Sequence, residues 1–153
     1  MTSIRQARVD DVETLQNLNN EVFLDNKKYD DDIIEDWATS NKGRNYFTKL
    51  LSDKNSLCLI AENEGKPVGY IACSVKNLDY RKSKNLEINN MGTRPKYRSR
   101  GIGTLLIKKA KEWAKQQGYK RMYVNSYFKN VRAIKFYKKS DFKEIDLSLE
   151  TKI

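Results

Sequence analysis

Arg98-Ser99-Arg100-Gly101-Ile102-Gly103 joins a run with strand character, Leu86 to Thr93, to a run with helical character, Thr104 to Gln117. On the second run Leu106, Ala110, Trp113 and Ala114 fall on one helical stripe, so the turn opens a helix. Glycines at 101 and 103 permit positive φ and close approach of a ligand to the main chain. The amides of Arg100 to Thr104 can then converge on an anion, with the helix dipole behind them. The chemistry offered is capture of a phosphate or pyrophosphate group.

Other phosphate motifs are excluded by spacing. No Lys-Ser or Lys-Thr pair follows the second glycine, as a nucleoside-triphosphate loop requires. A dinucleotide fingerprint needs a third glycine where this chain has Leu106, and it belongs in a first strand-to-helix unit. The chain has no histidine, which removes His-based triads and His metal sites, and no metal is expected. Cys58 and Cys73 fall in apolar strand patterns and read as buried, reduced thiols.

The elements that must hold this turn can be read from periodicity. Ser3 to Ala7 reads as a strand, and Asp10 or Asp11 caps a helix carrying Val12, Leu15, Leu18 and Val22. A second helical region runs from the acids at 30 to 32 through Ile33, Ile34 and Trp37, continuing past Gly43 to Leu51. Leu57 to Glu62 and Pro67 to Val75 form a hairpin around Asn63-Glu64-Gly65-Lys66. After the strand Leu86 to Thr93 and the long helix come Gly118 as a C-cap and a strand from Arg121 to Tyr127. A short helix over Asn130 to Ser140 and a final strand from Phe142 to Leu149 complete the pattern. The expectation is an α/β (α+β) fold: a mixed, partly parallel sheet of about six strands flanked by about four helices.

At 153 residues the chain is expected to form a single domain, 1–153. No apolar run approaches the roughly 18 residues of a membrane span and the N-terminus lacks a signal-peptide core, so the reading is cytoplasmic with no membrane partner. The net charge of +10 is unevenly placed: residues 1–60 carry 11 acids and 8 bases, and residues 61–153 carry 9 acids and 22 bases. A basic second part containing the turn suits a polyanionic cofactor, while the more acidic first part suits a cationic amine. No nucleic-acid module is recognisable, and the lysines at 108, 109, 111 and 115 read as a solvated helix face, so no specific nucleic-acid partner is expected.

The pattern R-x-x-G-x-G at the end of a central strand, with Thr93, Pro95 and Tyr97 just ahead, resembles the acetyl-coenzyme A signature of the GNAT superfamily of N-acetyltransferases. The order of elements resembles that fold over nearly the whole chain, most closely from Leu86 to Phe142. The resemblance implies that acetyl-CoA lies between the strand Leu86 to Thr93 and the next parallel strand. Main-chain groups of Met91, Gly92 and Thr93 would hold the acetyl carbonyl and pantetheine. Amides from Arg98, Ser99, Arg100, Gly101, Ile102, Gly103 and Thr104 would hold the pyrophosphate. Asn130, in Asn130-Val131-Arg132-Ala133, would be a further cofactor contact, beside its role as a helix N-cap.

The resemblance also implies the catalytic side chains. Tyr137 would donate a hydrogen bond to the leaving thiolate, and Glu87, six residues before Thr93, would be the base. Strand parity puts Glu87, Asn89 and Met91 on one face unless a bulge intervenes, and partial burial would raise the Glu87 pKa. Another family position for a base, five residues before Asn130, is Asn125, which cannot accept a proton. The implied reaction is direct attack of a neutral primary amine on the acetyl group in a ternary complex, the acceptor being a small molecule or peptide. The readings set against it are a non-catalytic acyl-CoA sensor and a basic nucleic-acid-binding module. Two features depart from the family pattern: Asp141 stands where glycine commonly precedes the phenylalanine, and Phe142 to Ile153 is short. A shortened last strand would leave a sheet edge, for which pairing in a homodimer is one remedy.

Overall fold

The computed structural model describes residues 1–153. Its strands are β1 (Thr2–Gln6), β2 (Leu57–Asn63), β3 (Lys66–Lys76), β4 (Asn85–Thr93) and β5 (Arg121–Val124). Its α-helices are α1 (Val12–Asp25), α2 (Asn41–Ser52), α3 (Ile102–Gln116) and α4 (Val131–Lys139). The strands form one sheet in the order β1-β2-β3-β4-β5. All neighbours are antiparallel except β4 and β5, which run parallel because α3 crosses between them.

Alternation along the strands divides the core into two layers. On one face Leu57, Leu59, Ile71, Cys73, Leu86 and Ile88 pack with Ile102, Leu106, Ile107 and Ala110 of α3, and Phe136 and Tyr137 of α4 lean on the same cluster. On the other face Cys58, Ile60, Tyr70 and Ala72 pack with Val12, Leu15 and Leu18 of α1 and with Phe47 and Leu50 of α2. The two thiols therefore point to opposite faces, and both are buried and free. No helix is long and apolar enough to cross a membrane.

Two expectations are corrected. The acidic stretch at 30–32 does not start a helix: residues 29–40 are turns and loop, and α2 begins only at Asn41, capped by the Ser40 hydroxyl accepting from the Gly43 amide. Trp37 is instead pinned between Phe23 and Tyr46, with ring centroids at 5.6 and 5.3 Å. The sheet has five strands rather than about six, because Phe142 to Leu149 forms no strand. Its backbone lies in no ladder, although Phe142 is anchored edge-on to Tyr137 at 5.6 Å.

Candidate active site

The parallel pairing of β4 with β5 covers only Asn85 to Ile88 against Arg121 to Val124. Beyond that point β4 keeps β3 as its partner through Thr93, and its other edge has no strand beside it. Met91, Gly92 and Thr93, opposite Ile71, Tyr70 and Gly69, therefore lie at an opening where the sheet splits. A strand edge without a ladder offers alternate amides and carbonyls to whatever enters.

The turn that follows β4 is stiffened from outside. Arg98 Nε donates to the Thr93 carbonyl at 3.1 Å, and its guanidinium lies 3.6 Å from Asp25. Arg94 reaches the Pro67 carbonyl and Glu21, at 3.0 and 2.6 Å. Ser99 and Gly101 both have positive φ, 61° and 79°, and Gly101 is the residue from which α3 starts. The amides of Ser99, Arg100, Gly101, Ile102, Gly103 and Thr104 donate to no protein acceptor, and the first helical bond is from Leu105 to the Gly101 carbonyl. Free donors converging at a helix N-terminus, on a turn with two residues of positive φ, are the kind of arrangement that can accept an anion.

Two members of the expected set have other work. The Arg98 amide bonds to the Pro95 carbonyl, and its side chain braces the turn against β4. Gly103 does not adopt positive φ; a Cβ there would lie 2.9 Å from Phe136 Cζ, so this glycine lets α4 pack closely on α3.

That contact positions α4. Asn130 caps it, its side-chain oxygen accepting from the Ala133 amide at 3.2 Å. Tyr137, on the inner face with Phe136 and Phe142, has a hydroxyl with no hydrogen-bond partner in the protein. Burial pushes the phenol up to about 12, so it keeps its proton at neutral pH. Cys58 and Cys73 are likewise pushed up by burial and are poor nucleophiles.

Glu87 stands in the paired part of β4, opposite Ser74 on β3 and Tyr123 on β5. Its carboxylate lies 3.8 Å from Lys76 Nζ, which also covers the Tyr123 ring at 4.6 Å. The expected shared face of Glu87 and Met91 is not formed. Ala72 pairs with Asn90 but Cys73 pairs with Ile88, so Asn89 is the extra residue of a β-bulge. Asn89 binds the Ser74 hydroxyl at 2.9 Å, Asn90 donates to Tyr46 Oη at 3.0 Å, and Met91 turns to the α3 side. Glu87 thus faces the α1–α2 layer together with the bulge. Asn125, exposed beyond β5, donates to Tyr123 Oη at 3.4 Å.

No local sequence pattern signals the contact between Tyr127 and Asp30. Tyr127 Oη donates to Asp30 at 3.0 Å, and its ring stacks on Tyr29 with centroids 5.7 Å apart. This ties the segment after β5 to the segment between α1 and α2. The acids at 30, 31, 32, 35 and 36 all lie in that second segment.

The structure thus combines a sheet split between parallel neighbours, a row of free amides after the first and an unpartnered tyrosine hydroxyl after the second. The sequence from 12 to 142 matches the model of the acetyltransferase (GNAT) family, and the chain belongs to that family. It is 37% identical over 102 residues to an uncharacterized N-acetyltransferase of Methanocaldococcus jannaschii, a match covering 65% of this chain and 44% of that protein. An uncharacterized N-acetyltransferase of Archaeoglobus fulgidus is 33% identical over 113 residues, covering 72% of this chain and 77% of the relative. Among solved structures, a mutant form of the BH1408 protein of Bacillus halodurans superposes with a TM-score of 0.86 at 22% identity over 99% of both chains. AAC(6')-Iy in complex with a CoA bisubstrate analogue superposes with a TM-score of 0.75 at 17% identity, over 100% of this chain and 98% of that one.

Proposed function

We propose that the chain transfers an acetyl group from acetyl-CoA to a primary amine, as one cytoplasmic GNAT-type domain spanning 1–153. The observation that carries the reading is the set of unbonded amides from Ser99 to Thr104, at the end of the strand that leads out of the sheet split. Those donors fit a pyrophosphate, and the free edge of Met91 to Thr93 fits an extended amide-bearing arm ending in an acyl group. Acetyl-CoA would supply a carbonyl carbon activated as a thioester.

The chain's own groups have separable tasks. Free main-chain donors at Met91 to Thr93 stabilise negative charge on the acyl oxygen. Tyr137 donates a hydrogen bond to the departing sulfur. With its pKa near 12, full proton transfer to a thiolate of pKa about 8.5 would be uphill by roughly 5 kcal/mol, so hydrogen bonding is the workable role. Glu87, on the face shared with the bulge, receives the amine proton directly or through water. The acidic α1–α2 segment favours a cationic small-molecule or peptide acceptor at the mouth.

The test is thiol release from acetyl-CoA across polyamines, aminoglycosides, amino acids and peptides with free N-termini or lysines. Release with one class, reduced at least tenfold in Tyr137→Phe, supports the reading. Absence of acetyl-CoA binding overturns it, and binding without release for any amine class would favour an acyl-CoA sensor.

A further inference from the structure

Two side-chain polar atoms are shielded from water and have no hydrogen-bond partner, Asn19 Oδ1 and Asn90 Oδ1. A carbonyl oxygen left dry and unpaired destabilises a fold, so such atoms are few and each calls for a reason. Asn19, on α1, is only 4% exposed, and its amide nitrogen donates to the fully buried Tyr70 hydroxyl at 2.8 Å. The core closes over it. Asn90 is half-buried and immediately precedes Met91, on the stretch of β4 that has no strand along its second edge.

The Asn90 amide is held in one orientation. Its nitrogen donates to Tyr46 Oη at 3.0 Å, which leaves Oδ1 as the unused end. The Tyr46 ring is itself wedged edge-on between Trp37 and Phe47, with centroids at 5.3 and 5.0 Å. Burial pushes this phenol up to about 12, and the charge of Glu87 acts in the same direction, so it stays a neutral partner. Glu87 and Asn90 pair with Ser74 and Ala72, two residues apart on β3, so both side chains stand on the α1–α2 face.

We propose that Asn90 Oδ1 anchors the acceptor, taking one N–H of the incoming primary amine beside the acyl position at Met91 to Thr93. This rests on the acetyl transfer proposed above. A neutral primary amine that gives one N–H to Oδ1 keeps its lone pair for the acyl carbon and a second hydrogen for Glu87. The nitrogen–carbon bond then forms, the carbon–sulfur bond breaks, the proton passes to Glu87 and the thiolate leaves with the electron pair. An amide carbonyl suits this task, because a second carboxylate would favour the unreactive ammonium more strongly. Amines without N–H groups are not held.

The test follows the Asn90 side-chain amide in nitrogen-proton correlation spectra, the signal being identified by its loss in Asn90→Leu. CoA-saturated protein is titrated with n-butylamine and, separately, with tetramethylammonium, which has the charge but no N–H. The signal should move to saturation with n-butylamine and stay in place with tetramethylammonium. Asn90→Leu combined with Tyr46→Phe replaces both hydrogen-bonding partners by apolar groups, so this double variant should melt no lower than the native chain. It should nevertheless need at least roughly tenfold more n-butylamine to shift the Met91 backbone amide. An Asn90 signal that ignores n-butylamine in the CoA complex, or that answers both cations equally, would overturn this inference and leave acetyl transfer standing. So would a double variant that melts lower yet binds n-butylamine as before. A protein that binds no CoA removes both readings together.

Discussion

The Cβ that Gly92 lacks would lie 2.1 Å from Val22 Cγ2, so α1 rests directly on the strand that borders the sheet split. Any side chain at 92 must push α1 away from β4, and overpacking of this kind costs about 1–3 kcal/mol. Gly92→Ala should therefore lower the melting temperature by roughly 2–4 °C for each kcal/mol lost in a chain of this size. Val22→Ala removes the obstructing methyl, and the double variant should recover most of the Gly92→Ala loss. Additive losses in a double-mutant cycle would show that the two residues do not meet.

Asn130 permits a separation of two roles at one position. Its side chain caps α4 through the Ala133 amide, and replacing such a cap with alanine costs about 1 kcal/mol. Asn130→Ala should lower stability by that amount, and Asn130→Ser should restore it. If the residue also contacts the cofactor, CoA affinity measured by calorimetry should stay reduced in Asn130→Ser. Full recovery of affinity along with stability would confine Asn130 to the cap.

Local signals made the turn legible, and long-range pairing hid the rest of the site. Gly101 at the start of an amphipathic run announces a helix N-terminus from neighbouring residues alone, and the αL geometry follows. The bulge at Asn89 is set by the register between β3 and β4, so strand parity put Met91 on the wrong face. Gly103 reads as a flexible residue until the Phe136 ring is seen against it. The stretch from Asp30 to Trp37 has helical spacing, but Asp30 accepts from Tyr127, the other acids are solvated and Trp37 is held by Phe23 and Tyr46. The period-two pattern after Phe142 is a strand signal, yet the segment pairs with none of the five strands.

Buried neutral groups give the protein a defined alkaline weakness. Burial holds Tyr46 and Tyr137 up to about 12, from an ordinary value near 10, and Cys58 up to about 12 from about 9. Raised folded-state values mean that the unfolded chain releases these protons first, so their stabilising contribution is complete below about pH 9 and is lost as pH rises toward 12. Melting temperatures should fall steadily between pH 9 and 11.5. Tyr137→Phe should flatten that slope above pH 10 and remove one late-titrating phenol from the absorbance titration at 295 nm. An unchanged slope in this variant would contradict the burial of the hydroxyl.

Tyr127 and Asp30, 97 residues apart in the chain, join the segment after β5 to the acidic segment between α1 and α2 through a 3.0 Å hydrogen bond, which makes them candidates for control of acceptor entry. Neither residue shares a hydrogen bond or ion pair with Ser99 to Thr104, so loss of the pair should act on the amine and spare the donor. Hydrogen bonds to a charged group contribute about 1.5–3 kcal/mol at most, and the partial exposure of this one places it at the lower end. Tyr127→Phe should therefore raise the acceptor KM roughly tenfold, with CoA affinity unchanged within about twofold. Asp30→Asn also removes charge, so it should raise KM more for a dicationic acceptor than for a monocationic one. Steady-state kinetics with two amines of different charge, alongside CoA calorimetry, decides the matter. An equal loss for donor and acceptor would mean that the bridge supports the fold around the split and does not select what enters it.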